Sequence, residues 1–328
     1  MKKIRRSPLA KDIEGFLKWK RTRGYAYRRA EFTLNVFDRC FCQQIREKKN
    51  LRLDQAMLAW LARLPDRKAY TVAQEMAIIR QFWDYLRRQY PRRYRREIHW
   101  PILPAKTNFT PYVFSMDEVK LLLRHIEQRE YSVDSPVLLR AVFLVLYCTG
   151  LRFGELTRLK FRDVDLKRQT LFIVDSKGRS RWVPFHRSLG RELAKYLKER
   201  KRHGRKDVNP DDRFFIRASE RPLRVAWISD RVRELLRELD LKPPHGRCGP
   251  RPYDLRHTFA VHRLTRWYRQ NIGLDERLAW LSAYMGHVDL AGTETYLTAT
   301  PELMALAGNR FRRRFQAGKR TSDEAAAG

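Results

Sequence analysis

Residues 137–156 read VLLRAVFLVLYCTGLRFGEL, and this stretch sets the frame for the rest of the chain. Apolar residues at almost every position from Val137 to Cys148 describe a helix that is buried on all sides. Thr149-Gly150 ends it, because glycine takes the left-handed conformation that closes a helix without a Cβ penalty. Arg152 follows just past that turn, at the start of the next helix, where free backbone N–H groups also favour an anion. Glu155 lies three residues on, shares the same helical face and is placed to orient the guanidinium. Taken alone, the pair also fits an ordinary surface ion pair.

Working upstream, Ser115 is followed three residues later by Glu118, with Val119, Leu121, Leu122 and Leu123 behind. That is a capping box, so a folded unit opens here. Before it stand Pro101, Pro104 and Pro111 in a stretch without periodicity, which reads as an extended linker. A basic run with interleaved tyrosines, RRQYPRRYRRE (87–97), precedes the linker. Residues 1–97 read as about four helices, a small bundle. The first carries Leu9, Ile13, Phe16 and Leu17, and the second Phe32, Leu34, Val36, Phe37, Cys40 and Phe41. The third carries Leu53, Met57, Leu58, Trp60 and Leu61, and the fourth runs from Val72 to Tyr90.

Downstream, Thr170–Val174 and Ser180–Phe185 are β-rich runs flanking Asp175-Ser176-Lys177-Gly178-Arg179, a hairpin with glycine in the turn. From Leu189 the pattern returns to helices, broken by a proline- and glycine-rich loop from Lys242 to Pro252. Pro301–Phe315 is helix-like, and a small polar tail follows. The expected fold is therefore mainly α with a small β-hairpin or sheet (α+β). A helical N-terminal domain spans 1–98, a linker 99–113, a second domain 114–315 and a disordered tail 316–328.

Composition narrows the function. The 328 residues include 70 Lys+Arg against 37 Asp+Glu, a formal charge of +33, yet 43% are hydrophobic, enough for real cores. Residues 1–110 carry 27 Lys+Arg and 10 Asp+Glu, so about half of the excess lies on each side of the linker. A charge shared by both bodies asks for a polyanion that both touch, and nucleic acid is the best match. No apolar run approaches the ~18 residues of a membrane span, the best stretch being Ala141–Cys148. The basic N-terminus lacks the apolar core of a signal peptide. Cys40, Cys42, Cys148 and Cys248 are too few and too scattered for a disulfide framework or a zinc knuckle, so reduced thiols in a cytoplasmic protein are expected.

Cutting a phosphodiester without a metal needs cations on the non-bridging oxygens, a nucleophile and a donor for the leaving oxygen. Four places in the chain offer these. Arg152 is the first cation. Lys177, in the hairpin turn, can swing toward a leaving oxygen and donate a proton, although a turn lysine is more often merely solvated. The third place is RPYDLRHTFA (251–260), where Tyr253 and Arg256 are one helical turn apart and Arg256 offers a second planar fork for phosphate; His257 should point elsewhere, as a structural donor. The fourth is LSAYMGHVDLAGTETY (281–296), with His287 at a helix terminus and Tyr296 nine residues later on the next short helix. Each of these residues alone reads as well as a core or surface side chain.

In their order these boxes resemble those of the tyrosine recombinase (phage integrase) family, the Xer-like site-specific recombinases included. TGLRFGEL, YDLRHTFA and MGHVDLAGTETY carry the likeness. It extends over essentially the whole chain as a helical core-binding domain, a linker and a catalytic domain. The resemblance implies that Arg152, Arg256 and His287 bind the scissile phosphate, that Lys177 protonates the leaving 5′-oxygen, and that Tyr296 forms a 3′-phosphotyrosyl bond. Glu155 would buttress Arg152. One departure stands out: the family usually has His three residues before the second Arg, and this chain has Tyr253, a phenol able to donate a hydrogen bond but poor as a base near neutrality. The segment Thr265–Glu276 reads as a family-specific insertion.

The resemblance further implies a DNA integration or transposition enzyme of a mobile element that binds double-stranded DNA at specific sites. It would act as a homo- or hetero-tetramer, the helix at 301–315 docking in trans, with no membrane and a nucleoid location on DNA. No cofactor or metal is expected, since the phosphotyrosyl link conserves the bond energy, and the sequence has no P-loop or metal-ligand cluster. A topoisomerase-like relaxing enzyme and a DNA-binding protein with a decayed site remain alternatives.

Overall fold

The computed structural model describes residues 7–47, 51–63, 69–101, 111–129, 135–176, 179–202, 209–246, 248–270, 272–287, 290–294, 296–297, 305 and 308. The chain folds as two compact units, Met1–Phe109 and Thr110–Gly328.

The first unit is a four-helix body: α1 (Ala10–Arg21), α2 (Arg28–Glu47), α3 (Leu53–Ala62) and α4 (Ala69–Gln89). Apolar residues at helical spacing face inward, so Phe16, Leu34, Phe37, Met57, Trp60, Ile79, Phe82 and Leu86 are essentially solvent-free. The expected stripe of α2 is right except at its start, since Phe32 points out and is 69% exposed. The core continues past α4, where Tyr94 is buried and Ile98 and Trp100 pack against it.

Near the start of the second unit, the backbone N–H of Phe114 donates to Thr258 Oγ1 at 3.1 Å. Helix α5 (Met116–Gln128) opens with the capping box read from sequence: Glu118 N donates to Ser115 Oγ and Ser115 N to Glu118 Oε2. Helix α6 (Pro136–Thr149) is the central element, with eight buried residues, and Gly150 closes it in the left-handed conformation at φ 62°. A Cβ at Gly150 would lie 2.5 Å from Cδ1 of Phe259, so this position needs glycine for its conformation and for its space. The helix expected after Arg152 is α7 (Phe153–Arg158), and two short pieces that sequence periodicity did not reveal come next, a 3₁₀ turn (Phe161–Asp163) and strand β1 (Val164–Asp165). Strands β2 (Thr170–Ser176) and β3 (Arg179–Pro184) complete an antiparallel sheet in the order β1-β2-β3. Their register pairs Leu171 with Val183 and Ile173 with Arg181.

Helices α8 (Arg187–Arg202), α9 (Val225–Glu238), α10 (Asp254–Arg269), α11 (Leu274–Met285) and α12 (Ala291–Glu294) follow. The stretch expected to be an insertion, 265–276, is the last turn of α10, a short connection and the first turn of α11. Trp267 is buried there, edge-on to Trp280 at 5.7 Å, so the two helices pack as neighbours. Among the described residues no helix is long and apolar enough to cross a membrane. The four cysteines are free. Most of the C-terminal segment 301–315 and all of 316–328 lie outside the described residues, as does 102–110 of the expected linker.

Candidate active site

The end of α11 builds the site. A helix leaves its last carbonyls without partners, and its dipole makes that end negative. Three consecutive carbonyls there each accept from a different guanidinium. Tyr284 O accepts from Arg181 Nε at 2.7 Å, Met285 O from Arg256 Nη2 at 2.8 Å, and Gly286 O from Arg152 Nη2 at 2.9 Å. Gly286, at φ 66°, turns the chain away so that His287 leaves the helix end. Arg256 also donates through Nη1 to the carbonyl of Gly150, which ties α6 to α10. It is 4% exposed, and burial followed by the nearby charge of Arg152 holds its pKa below the ordinary guanidinium value.

Arg152 is the residue before α7. Its Nη1 donates to Glu155 Oε1 at 2.8 Å, and its backbone N–H to Glu155 Oε2 at 2.9 Å. Glu155 therefore orients the guanidinium as expected. It is buried, and it also takes a two-pronged contact from Arg181, at 3.2 Å to Oε1 and 2.9 Å to Oε2. Sequence reading missed Arg181, because a charged residue in a short strand beside a turn reads as solvent-facing.

Tyr296 is buried, 3% exposed. It lies in the turn after α12, which ends at Glu294, and not on the helix itself; its N–H donates to Thr293 O at 3.0 Å. Its ring contacts two imidazoles. His287 stacks on it at 6.0 Å, and His257 meets it nearly edge-on at 5.4 Å. His257 thus faces the tyrosine, contrary to the reading that turned it elsewhere: it stands one residue after Arg256 on α10, and that places its ring against the α12 turn. Burial lowers the pKa of His257, and its Nδ1 is buried with no hydrogen-bond partner among the described residues. His287 is held by a 2.6 Å hydrogen bond between Nδ1 and the hydroxyl of Thr293, which is fully buried.

Burial raises the pKa of the Tyr296 phenol, and the charge of Arg256 and a hydrogen bond from it partly offset the rise. Tyr253 precedes the first residue of α10; its ring rests on Phe153 at 5.7 Å and His257 at 6.4 Å, with 42% of the residue exposed. Beside it opens a cleft of about 460 Å³ lined by Arg152, Arg158, Arg233, Arg251 and Tyr253. Lys177 lies outside the described residues, between β2 and β3 in sequence. Arg152, Glu155, Tyr253, Arg256, His287 and Tyr296, which are spread over 145 positions of sequence, thus come together around the end of α11. The arrangement offers two fixed guanidiniums and an imidazole next to a phenol, a set suited to holding an oxyanion beside a nucleophile. Among the described residues no group of three His, Cys, Asp or Glu is arranged to hold a metal ion.

A sequence profile of the phage integrase family matches residues 113–302, nearly all of the described second unit. The chain is 34% identical over 221 residues to y4rB of Sinorhizobium fredii, designated an integrase/recombinase, a match that covers 66% of this chain and 69% of that one. It is 27% identical to the tyrosine recombinase XerC of Staphylococcus saprophyticus over 236 residues, 72% of this chain and 73% of the other. In architecture it is similar to the Tn1549 transposon integrase in complex with transposon right end DNA. There the TM-score is 0.66 at 14% identity, over 92% of this chain and 98% of that one. A lambda integrase dimer bound to a core site gives 0.61 at 15% identity, over 90% and 79%.

Proposed function

The chain belongs to the phage integrase family of tyrosine recombinases, and on that premise we propose that Tyr296 is its nucleophile and that Arg152, Arg256 and His287 hold the scissile phosphate. As a member it is a DNA strand-cleaving and rejoining enzyme, and its tertiary structure is the recombinase fold. One observation carries the assignment of roles. The buried phenol of Tyr296 meets Arg256, a guanidinium locked onto two backbone carbonyls, with Arg152 anchored on the next carbonyl along.

The oxygen of Tyr296 attacks phosphorus, the bond to the 5′-oxygen breaks, and a 3′-phosphotyrosyl link forms. The phenolic proton leaves toward water or an imidazole, and Lys177 delivers a proton to the departing 5′-oxygen. Attack by a 5′-hydroxyl on the phosphotyrosine reverses each step, so the phosphate bond is conserved and no external energy source is consumed. Charge builds on the non-bridging oxygens during attack, where the two arginines and His287 strengthen their hydrogen bonds. Tyr253 adds a hydroxyl donor at the position where related enzymes carry histidine.

Residues 1–98 act as a second, core-binding DNA clamp and 114–315 as the catalytic domain, a division that the basic charge of both parts supports. The full reaction is strand exchange between specific duplex sites by a tetramer, assembled through the 301–315 segment, on behalf of a mobile element. The likeness to y4rB and to a transposon integrase supports that setting.

The test is a suicide duplex that carries a nick beside the cleavage position. The wild-type chain forms an SDS-resistant protein–DNA adduct, and Tyr296→Phe forms none. An adduct that persists in Tyr296→Phe overturns the assignment.

A further inference from the structure

We propose that Arg181 is a positioning residue of the strand-cleavage site: by gripping Glu155 and the Tyr284 carbonyl together, it sets the register of the hairpin strand, Arg152 and His287 relative to one another. The inference rests on Arg152 and His287 being phosphate-binding groups, as proposed above.

The geometry carries it. Arg181 lies on β3, four positions after Lys177 in sequence and opposite Ile173 of β2. Its side chain is 9% exposed, so it is not a DNA-facing cation, and all three of its nitrogens are engaged. Nη1 and Nη2 close on the two oxygens of Glu155, and Nε donates to Tyr284 O. The planar fork of arginine matches a carboxylate in two places at once, which a lysine ammonium does not reproduce. Through Glu155 the contact reaches Arg152; through Tyr284 it reaches the last turn of α11, three residues before His287.

A second effect is electrostatic. A buried carboxylate facing Arg152 alone would cancel the charge that a phosphate needs. Two guanidiniums on one carboxylate leave the cluster with a net positive charge, so Glu155 can fix Arg152 without neutralising the site.

Gly286 reports the same closeness from the other side. A Cβ there would stand 2.7 Å from Arg181 Nη1 and 2.8 Å from Cζ. The glycine in Gly286-His287 is thus needed for its left-handed φ and for the guanidinium that passes beneath it.

The experiment uses the full chain and the suicide duplex. Wild type, Arg181→Met, Arg181→Lys, Glu155→Gln and Arg181→Met/Glu155→Gln are compared for DNA affinity and for single-turnover adduct formation, with Tyr296→Phe as the control. Arg181→Met should bind DNA within about threefold of wild type but form adduct about 100-fold more slowly, the scale of a misplacement near 1 Å. Arg181→Lys should recover part of the loss. The cleavage effects of Arg181→Met and Glu155→Gln should be far from additive, because both act through one contact. Arg181→Met cleaving within threefold of wild type, or losses that add in the double variant, overturns the proposal. If Arg181→Met does not fold, the same criterion falls on Arg181→Lys: a folded lysine variant with wild-type cleavage refutes it. An adduct in Tyr296→Phe would instead refute the underlying reading of the site.

Discussion

Three of the second unit's glycines with a left-handed φ, Gly150, Gly246 and Gly286, differ in what surrounds them, and that difference yields a graded prediction. Gly246 has φ 83° and nothing within 4 Å of a would-be Cβ. Alanine there meets only the left-handed penalty, about 1–2 kcal/mol, partly offset by the smaller entropy of the unfolded chain, about 0.4–1 kcal/mol. Gly246→Ala should therefore destabilise by about 1 kcal/mol or less. Gly150 has φ 62°, and its Cβ would enter the Phe259 ring, at 2.5 Å from Cδ1 and 3.1 Å from Cε1 and Cγ. That ring is 5% exposed and stacks on Tyr284 at 5.6 Å, so it has little room to yield.

Overpacking adds about 1–3 kcal/mol, which brings Gly150→Ala to about 2–4 kcal/mol. For a unit of this size that is a fall in Tm of roughly 4–16 °C. Gly286→Ala should lie between the two, since it meets the end of a longer side chain, Arg181, though one that is pinned. Urea titration of the full chain, followed through the second unit's transition, measures all three. The cost of Gly150→Ala should also shrink by more than about 1 kcal/mol in a Phe259→Leu background, because the two sites share one contact. Gly150→Ala within 0.5 kcal/mol of Gly246→Ala, about the usual scatter of surface substitutions, would refute the packing argument. Cleavage should fall as well, because the Gly150 carbonyl is one of the two that hold Arg256.

Three further outcomes follow from the site and its surroundings. Burial pushes Cys148 up to about 11 and Tyr147 up to about 12, so both stay neutral in the fold and ionise sooner when unfolded. Unfolding then releases protons, and stability, constant at lower pH, should fall as pH rises from about 9 toward 12; urea midpoints across that range should drop later in Cys148→Ala, and superimposable curves would count against it. Thr293→Val removes the hydroxyl that holds His287 and should slow adduct formation by roughly 10–100-fold with DNA affinity kept, while Thr293→Ser should stay close to wild type. Tyr253→His should keep or raise the single-turnover cleavage rate; a steep loss would show that the phenol has a role of its own.

How much of this was readable in the sequence depends on whether a residue's neighbours are local. Ser115 and Glu118 satisfy each other within one turn, and Gly150 ends its helix by its own conformation, so both could be read directly. The orientation of Arg152 by Glu155 is likewise an i, i+3 relation. Arg181 was missed and His257 misread because their partners are 26 and 39 positions away. Neither periodicity nor turn chemistry carries information over that distance. The 3₁₀ turn and β1 escaped for a related reason: three and two residues are too few to establish a period. Tyr296 illustrates the limit of spacing arguments. Its place nine residues after His287 marked it, but whether it sits on a helix or after one depends on where α12 ends.

Three adjacent carbonyls at the end of α11 hold three guanidiniums, from the residue before α7, from α10 and from β3, so those side chains share one mooring beside their separate anchors on Glu155 and Gly150. If the last turn of α11 frays, Arg152, Arg256 and Arg181 lose that shared anchor together. Activity should then respond to that turn as a switch with two settings. The local opening free energy of this turn, and not the global stability of the domain, governs the fraction of molecules ready to cut. Hydrogen exchange at the amides of Gly286 and His287, which close onto Ala283 and Ser282, reads that fraction directly. Anything that steadies the last turn of α11, a neighbouring protomer or bound DNA included, would complete the anchoring of all three arginines in a single event.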